Sequence, residues 1–109
     1  MADILERDFQ ARLIKRIKKE FPGCVVVKND PNYLQGFPDL LILHGKHWAV
    51  LEAKRDEHAP HRPNQDHYIR MLDEMSCARF IYPENEEEIL HDIREALGAG
   101  GDARIPQPE

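Results

Sequence analysis

No stretch of this chain approaches the ~20 consecutive apolar residues that a membrane-spanning helix needs, so no membrane partner is expected. The first residues, Met1-Ala2-Asp3-Ile4, lack a basic segment followed by an apolar one, and no secretory signal is read there. Cysteine is scarce: Cys24 and Cys77 are the only two. That count does not make a disulfide scaffold, and free thiols in a reducing cytoplasm are the expectation. No Cys-x-x-Cys occurs, and the pairs His44/His47 and His58/His61 do not match a metalloprotease helix, which argues against structural or catalytic zinc. Gly98 to Gly101 follows a helical pattern rather than a strand, so no phosphate-cradling glycine loop is present and no organic cofactor is expected. No Ser-His-Asp pattern, internal repeat or low-complexity tract stands out. Basic residues are outnumbered, 15 against 20 acidic, for a net charge of −5. Taken alone this weighs against nucleic acid. The charge is uneven, however: Arg12, Lys15, Arg16, Lys18 and Lys19 cluster, while Glu84, Glu86, Glu87 and Glu88 form an acidic block, so a positive face can coexist with a negative sum.

What is present is a soluble, globular composition, 41% hydrophobic and 32% charged over 109 residues, long enough for one domain. Leu5, Phe9, Leu13 and Ile17 recur at four-residue spacing and predict a helix from about residue 3 to 20, with Asp3 as its cap and Phe21-Pro22-Gly23 as its end. Cys24 to Val27 reads as a strand and Asn29 to Gly36 as a loop. Asp39 to Leu43 and His47 to Lys54 read as two strands joined by a Gly45-Lys46 turn. Glu57 to Arg62 reads as a loop, and Pro63 suits the first turn of a helix reaching Ser76. Ala78 to Tyr82 is a fourth strand, and Glu84 to Leu97 a last helix whose acidic start suits the helix dipole. The elements make one domain at residues 1–97, and a flexible tail is expected at 98–109. Leu40 to Leu43 and Trp48 to Leu51 are apolar on both faces, so the fold class is α/β, a central mixed sheet flanked by helices.

The hairpin carries the chemistry. With Gly45-Lys46 as a two-residue turn, counting back pairs Leu43 with Trp48, Leu41 with Val50 and Asp39 with Glu52. Directly opposed residues share a face, with Cβ atoms roughly 4.5–5.5 Å apart. Lys54, two residues beyond Glu52, falls on that face too. Two carboxylates this close repel unless something positive lies between them, and a hard divalent cation with oxygen ligands suits the place. The alternative is a solvated acidic and basic cluster at a sheet end. Glu6 lies about 20° from Leu13 on the helical wheel, inside the apolar stripe. It either snorkels to solvent or points into the same site. Gln65 and Tyr68 share a helix face with Ile69, Leu72 and Met75. Tyr68 suits a core as well as a binding role, and Gln65 could bond a phosphate or orient a ligand. Lys28 and Arg62, at element ends, are placed either to meet a phosphate backbone or to be solvated.

Gly36-Phe37-Pro38-Asp39, Glu52-Ala53-Lys54 and Gln65-Asp66-His67-Tyr68, with Glu6 ahead of them and Arg62-Pro63 before Gln65, together resemble the VRR-NUC (virus-type replication-repair nuclease) family of the PD-(D/E)xK superfamily, in its small stand-alone phage and bacterial form. The likeness runs from about Glu6 to Ile93. It implies a restriction-endonuclease-like core of helix, three strands, helix, strand and helix, and Mg²⁺- or Mn²⁺-dependent hydrolysis of DNA phosphodiesters. It implies Asp39, Glu52 and Lys54 as catalytic residues, and Glu6, Asp39, Glu52 and the Ala53 carbonyl as metal ligands. Lys28, Arg62, Gln65 and Tyr68 are then the DNA-binding candidates. It further implies a homodimer, in the cytoplasm of a bacterial host where phage-encoded, acting on branched DNA such as a Holliday junction. Ala78 stands where relatives often carry glycine, at a turn and away from the chemistry. Other readings are a nuclease that nicks or cuts linear duplex, a non-catalytic DNA-binding module, and an acidic protein-interaction domain resting on Glu84 to Glu88.

Overall fold

The computed structural model describes residues 4–98. The expected Asp3 cap and the tail beyond Gly98 lie outside the described residues. The elements run α1 (Ile4–Glu20), β1 (Val25–Lys28), β2 (Leu40–His44), β3 (His47–Ala53), α2 (Gln65–Met75), β4 (Ala78–Ile81), a 3₁₀ turn (Pro83–Asn85) and α3 (Glu86–Ala96). The strands form one sheet in the order β1-β2-β3-β4, antiparallel except for the parallel pair β3-β4. A parallel pair needs a crossover, and α2 supplies it. No described helix is long and apolar enough to cross a membrane.

Side chains alternate across the sheet, so its two faces build two cores. On one face Leu40, Ile42, Ala49, Leu51 and Ala53 pack against Phe9, Leu13, Ile17 and Phe21 from α1 and its end, and Ile89, Leu90, Ile93 and Leu97 from α3 and its end. Leu13, Ile17 and Phe21 are wholly buried, each worth roughly 1.5–3 kcal/mol relative to exposure. On the other face Val50 and Ala78 meet Leu72 of α2, with Leu41, Trp48, Phe37, Tyr68 and Ile69 around them. The expectation of a sheet covered on both sides holds for β3, β4 and the part of β2 around Leu41. Val25, Val27 and Leu43 stay exposed on the α2 face, because α2 lies over β3 and β4 and does not reach β1.

The departures from the sequence reading have local causes. Leu5 and Met75 are 67% and 65% exposed, although both lie on the apolar stripes of their helices. β2 starts at Leu40 rather than Asp39, whose N–H leaves the ladder to bond the Glu52 side chain. β1 runs one residue further, to Lys28, opposite Leu40. β3 ends at Ala53, although the Lys54 N–H still reaches the Ile81 carbonyl at 2.8 Å. α2 begins at Gln65 and not at Pro63, because Asn64 takes a left-handed conformation at φ 71°. α3 begins at Glu86, after a 3₁₀ turn in which Asn85 Oδ1 accepts the Tyr82 N–H at 2.9 Å.

The two opposite charge blocks meet. Arg16 of α1 donates to the buried Glu86 at 2.7 Å and to the exposed Glu87 of α3, and Arg94 of α3 reaches back to Glu20 at 3.0 Å. A buried Glu86 requires such a partner. Part of the basic cluster on α1 is therefore a clasp between helices. Cys24 and Cys77 are both free thiols.

Candidate active site

The site grows from the tight turn at Gly45, whose φ of 62° is left-handed. It sets the register His44↔His47, Leu43↔Trp48 and Leu41↔Val50. One step beyond the last paired residues, Asp39 and Glu52 come face to face. The Asp39 N–H donates to Glu52 Oε1 at 3.1 Å, and the Ala53 N–H donates to Asp39 Oδ1 at 3.2 Å. Asp39 is held there by its flanks: Pro38 is fully buried, and its carbonyl accepts Asn29 Nδ2 at 2.8 Å, while the Asp39 carbonyl accepts the Asn29 N–H at 2.8 Å. Gly36 is needed just before it. At φ 88° it presses on the residues ahead of α2, and a Cβ there would lie 2.6 Å from Asn64 Cβ and 2.7 Å from the Pro63 carbonyl oxygen.

Glu52, Lys54 and Gln65 are 6%, 3% and 5% exposed, a buried polar group that must satisfy itself. It does so through Gln65. Gln65 Oε1 accepts from Lys54 Nζ at 2.8 Å and from the Arg62 N–H at 2.7 Å. Two donors on the oxygen fix which end of the amide is which. The nitrogen is thereby turned to Glu52 Oε2, to which it donates at 2.9 Å. Lys54 Nζ also donates to the Pro60 carbonyl at 3.1 Å. Lys54 thus shares the face of Glu52, as the alternation requires, but reaches it through Gln65 and not by a direct ion pair.

Burial raises the pKa of Glu52, Asp39 beside it raises it further, and Lys54 opposes the rise. Asp39 is raised as well, first by burial, with the hydrogen bonds from Ala53 and Gln10 acting the other way and the charge of Glu6 adding to the rise. Both carboxylates therefore hold protons more readily than free side chains, chiefly because they are buried.

A cleft of about 450 Å³ opens onto these groups, lined by Glu6, Arg7 and Gln10 from α1, Lys28 from β1, Asp39, Glu52, Arg62, Gln65 and the loop before Asp39. Of the residues singled out in the sequence, Glu6, Lys28, Asp39, Glu52, Arg62 and Gln65 line this cleft. Ala53 and Lys54 do not line it; Ala53 bonds the lining residue Asp39 through its N–H, and Lys54 bonds the lining residue Gln65. Tyr68 does not line it. Its ring packs edge-on to Phe37 at 5.5 Å in the α2 core. Gln10 went unnoticed in the sequence, yet its Nε2 donates to Asp39 Oδ2 at 2.8 Å. The signal was its place one helical turn after Glu6, on the same side of α1.

Among the described residues no three His, Cys, Asp or Glu side chains already form a closed metal cage. The donor set nonetheless suits a hard cation that keeps several waters: two adjacent carboxylates, both with raised pKa, open to a cleft. Every carboxylate oxygen of the pair accepts one N–H and retains acceptor capacity for a cation or water. The histidines stand apart. His61 stacks on Phe80 and faces Asp66, and His44 meets the Pro22 carbonyl.

No family model matches the chain, and no curated protein matches it. Among solved structures, a chain described as a "VRR_NUC domain protein" shares its fold, with a TM-score of 0.63 and 18% identity over 92% of this chain and 93% of that one. The fold is accordingly that of a VRR_NUC domain, a restriction-endonuclease-like α/β fold.

Proposed function

We propose that this chain is a divalent-cation-dependent nuclease that hydrolyses DNA phosphodiester bonds, with branched DNA such as a Holliday junction as its substrate. The observation that carries the reading is the opposed pair Asp39 and Glu52, both with raised pKa, tied through Gln65 to a buried lysine. Asp39 and Glu52 would hold Mg²⁺ or Mn²⁺, with Glu6 and the Ala53 carbonyl as further ligands. The cation, when bound, supplies charge for the phosphoryl oxygens and lowers the pKa of attacking water. Lys54 orients that water and offsets charge developing on the phosphorus-bound oxygens. Gln65 keeps Lys54 and Glu52 in one fixed relation. Lys28 and Arg62, at the cleft wall, take the phosphates on either side. Tyr68, packed on Phe37, supports the wall rather than touching DNA.

A homodimer fits the exposed apolar side chains of Val25, Val27 and Leu43 at the β1 edge, since an unpaired strand edge beside apolar side chains is a pairing surface. Two sites about a two-fold axis suit a symmetric junction. A reducing cytoplasm agrees with the two free thiols. The test is cleavage of junction, flap, nicked and linear DNA with Mg²⁺ or Mn²⁺, by the wild type, Asp39→Ala and Lys54→Ala. Loss of cutting in both variants, with preference for the branched forms, supports the proposal. Cutting that persists in both removes the mechanism. Salt-sensitive DNA binding without any metal-stimulated cutting favours the non-catalytic module instead.

A further inference from the structure

A second, smaller pocket of about 270 Å³ adjoins the cleft, lined by Asn29, Asp30, Tyr33, Leu34 and Phe37. Asn29 and Phe37 line both, so the two spaces are neighbours. We propose that this pocket is a nucleobase site, which receives an unpaired base of the DNA strand lying in the cleft. The inference rests on the nuclease reading and names the feature that selects its substrate.

Three of the five lining side chains are apolar or aromatic, and Tyr33 is 88% exposed. A large aromatic ring left in water at the rim of a cleft is a ready stacking surface for a base. Phe37, which also lines the pocket, is held by the ring of Tyr68 at 5.5 Å. The loop that carries Tyr33 is tied at several points: the Tyr33 N–H reaches the Asp30 carbonyl at 3.1 Å, the Asn32 N–H reaches Asp30 Oδ1 at 2.9 Å, and the Phe37 N–H reaches the Leu34 carbonyl at 3.1 Å. The two spaces differ in their lining charge. Arg7, Lys28 and Arg62 line the cleft beside Glu6, Asp39 and Glu52 and can meet a phosphate chain, whereas the pocket has no cation among its lining residues and carries Asp30, which repels phosphate. An acidic acceptor beside an apolar slot suits a base edge that carries an amino group. Bases inside intact duplex are paired and stacked, and they cannot enter such a slot without leaving the helix. The site thereby favours DNA in which a nucleotide beside the cut is already unpaired, as at a branch, flap or gap.

The test places 2-aminopurine at the unpaired position of a flap substrate, in metal-free buffer with chelator so that nothing is cut. Fluorescence is followed on titration with wild type, Tyr33→Phe and Tyr33→Ala. Stacking quenches the probe with the wild type and with Tyr33→Phe. Tyr33→Ala loses the quenching and loses about tenfold of the preference for flap over linear duplex. Absence of quenching with the wild type, or equal quenching and equal preference in Tyr33→Ala, overturns the base site. Parallel digestion with Mn²⁺ separates the two proposals. Quenching without cutting retains the base site and removes the nuclease, and cutting without quenching does the reverse.

Discussion

Gln65 stands between Lys54 and Glu52, its amide oxygen accepting from the ammonium at 2.8 Å and its amide nitrogen donating to the carboxylate at 2.9 Å. Both charged groups are buried, so the amide is what makes their joint burial tolerable. Gln65→Glu keeps an acceptor for Lys54 but sets an oxygen against Glu52. Gln65→Ala leaves both without the amide. Each buried group that loses its partner costs about 1–3 kcal/mol. Urea unfolding is expected to show a loss in that range for Gln65→Glu and up to about twice it for Gln65→Ala. A variant as stable as the wild type would mean that water replaces the amide at no cost.

The acid pair separates two conservative substitutions. In Asp39→Asn the Oδ1 keeps the Ala53 N–H, and the new amide can donate to Gln10 once the Gln10 side chain turns over. One of two repelling charges is gone, and without metal this variant is expected to be more stable than the wild type at pH 8, by of the order of 1 kcal/mol, and to melt at a higher temperature. In Glu52→Gln both oxygens of Glu52 already accept N–H groups, from Asp39 and Gln65, so an amide nitrogen there faces a donor. That variant is expected to gain less or to lose stability. Thermal melts of the two, side by side in chelator, check the order.

Stability is expected to depend on pH in a direction set by the same pair. The folded-state pKa values of Asp39 and Glu52 lie above those of the unfolded chain. Around neutrality the folded protein therefore binds more protons than the unfolded one, and metal-free stability falls as pH rises from about 4 through the raised values. A bound cation favours the ionised forms and opposes that fall. Urea midpoints from pH 5 to 8, with chelator and with millimolar Mg²⁺, are expected to diverge as pH rises. Parallel curves would show that no cation meets these acids.

Gly36→Ala tests the backbone that presents Asp39. The added methyl meets Asn64 Cβ and the Pro63 carbonyl oxygen and must adopt a positive φ. The loop and the start of α2 have to part, at an expected cost of more than about 2 kcal/mol. Circular dichroism melts measure this directly, and an unchanged melting temperature would contradict the close approach.

Much of this site was legible before any coordinates, for a physical reason. A two-residue turn leaves one register for its strands, and a period of two assigns every side chain a face, so Gly45-Lys46 alone placed Asp39 opposite Glu52. Lys54 on the same face followed from alternation. What could not be read was contact between distant elements. Gln10 bonds Asp39 only because α1 crosses the end of the sheet, and Gln65 relays Lys54 to Glu52 only because α2 docks where it does. The periodicity of α1 and α2 was right, but it did not tell which residues of each stripe meet the sheet, and Leu5 and Met75 are exposed.

The central claim is that Asp39 and Glu52 share a divalent cation, and calorimetric titration with Mn²⁺ tests it most directly. The wild type is expected to bind and to release protons on binding, more of them at lower pH within the range from 6 to 8. Asp39→Asn is expected to bind at least about tenfold more weakly, a difference of 1.4 kcal/mol. Equal Mn²⁺ affinity in the two proteins, or no binding by the wild type, would contradict the account.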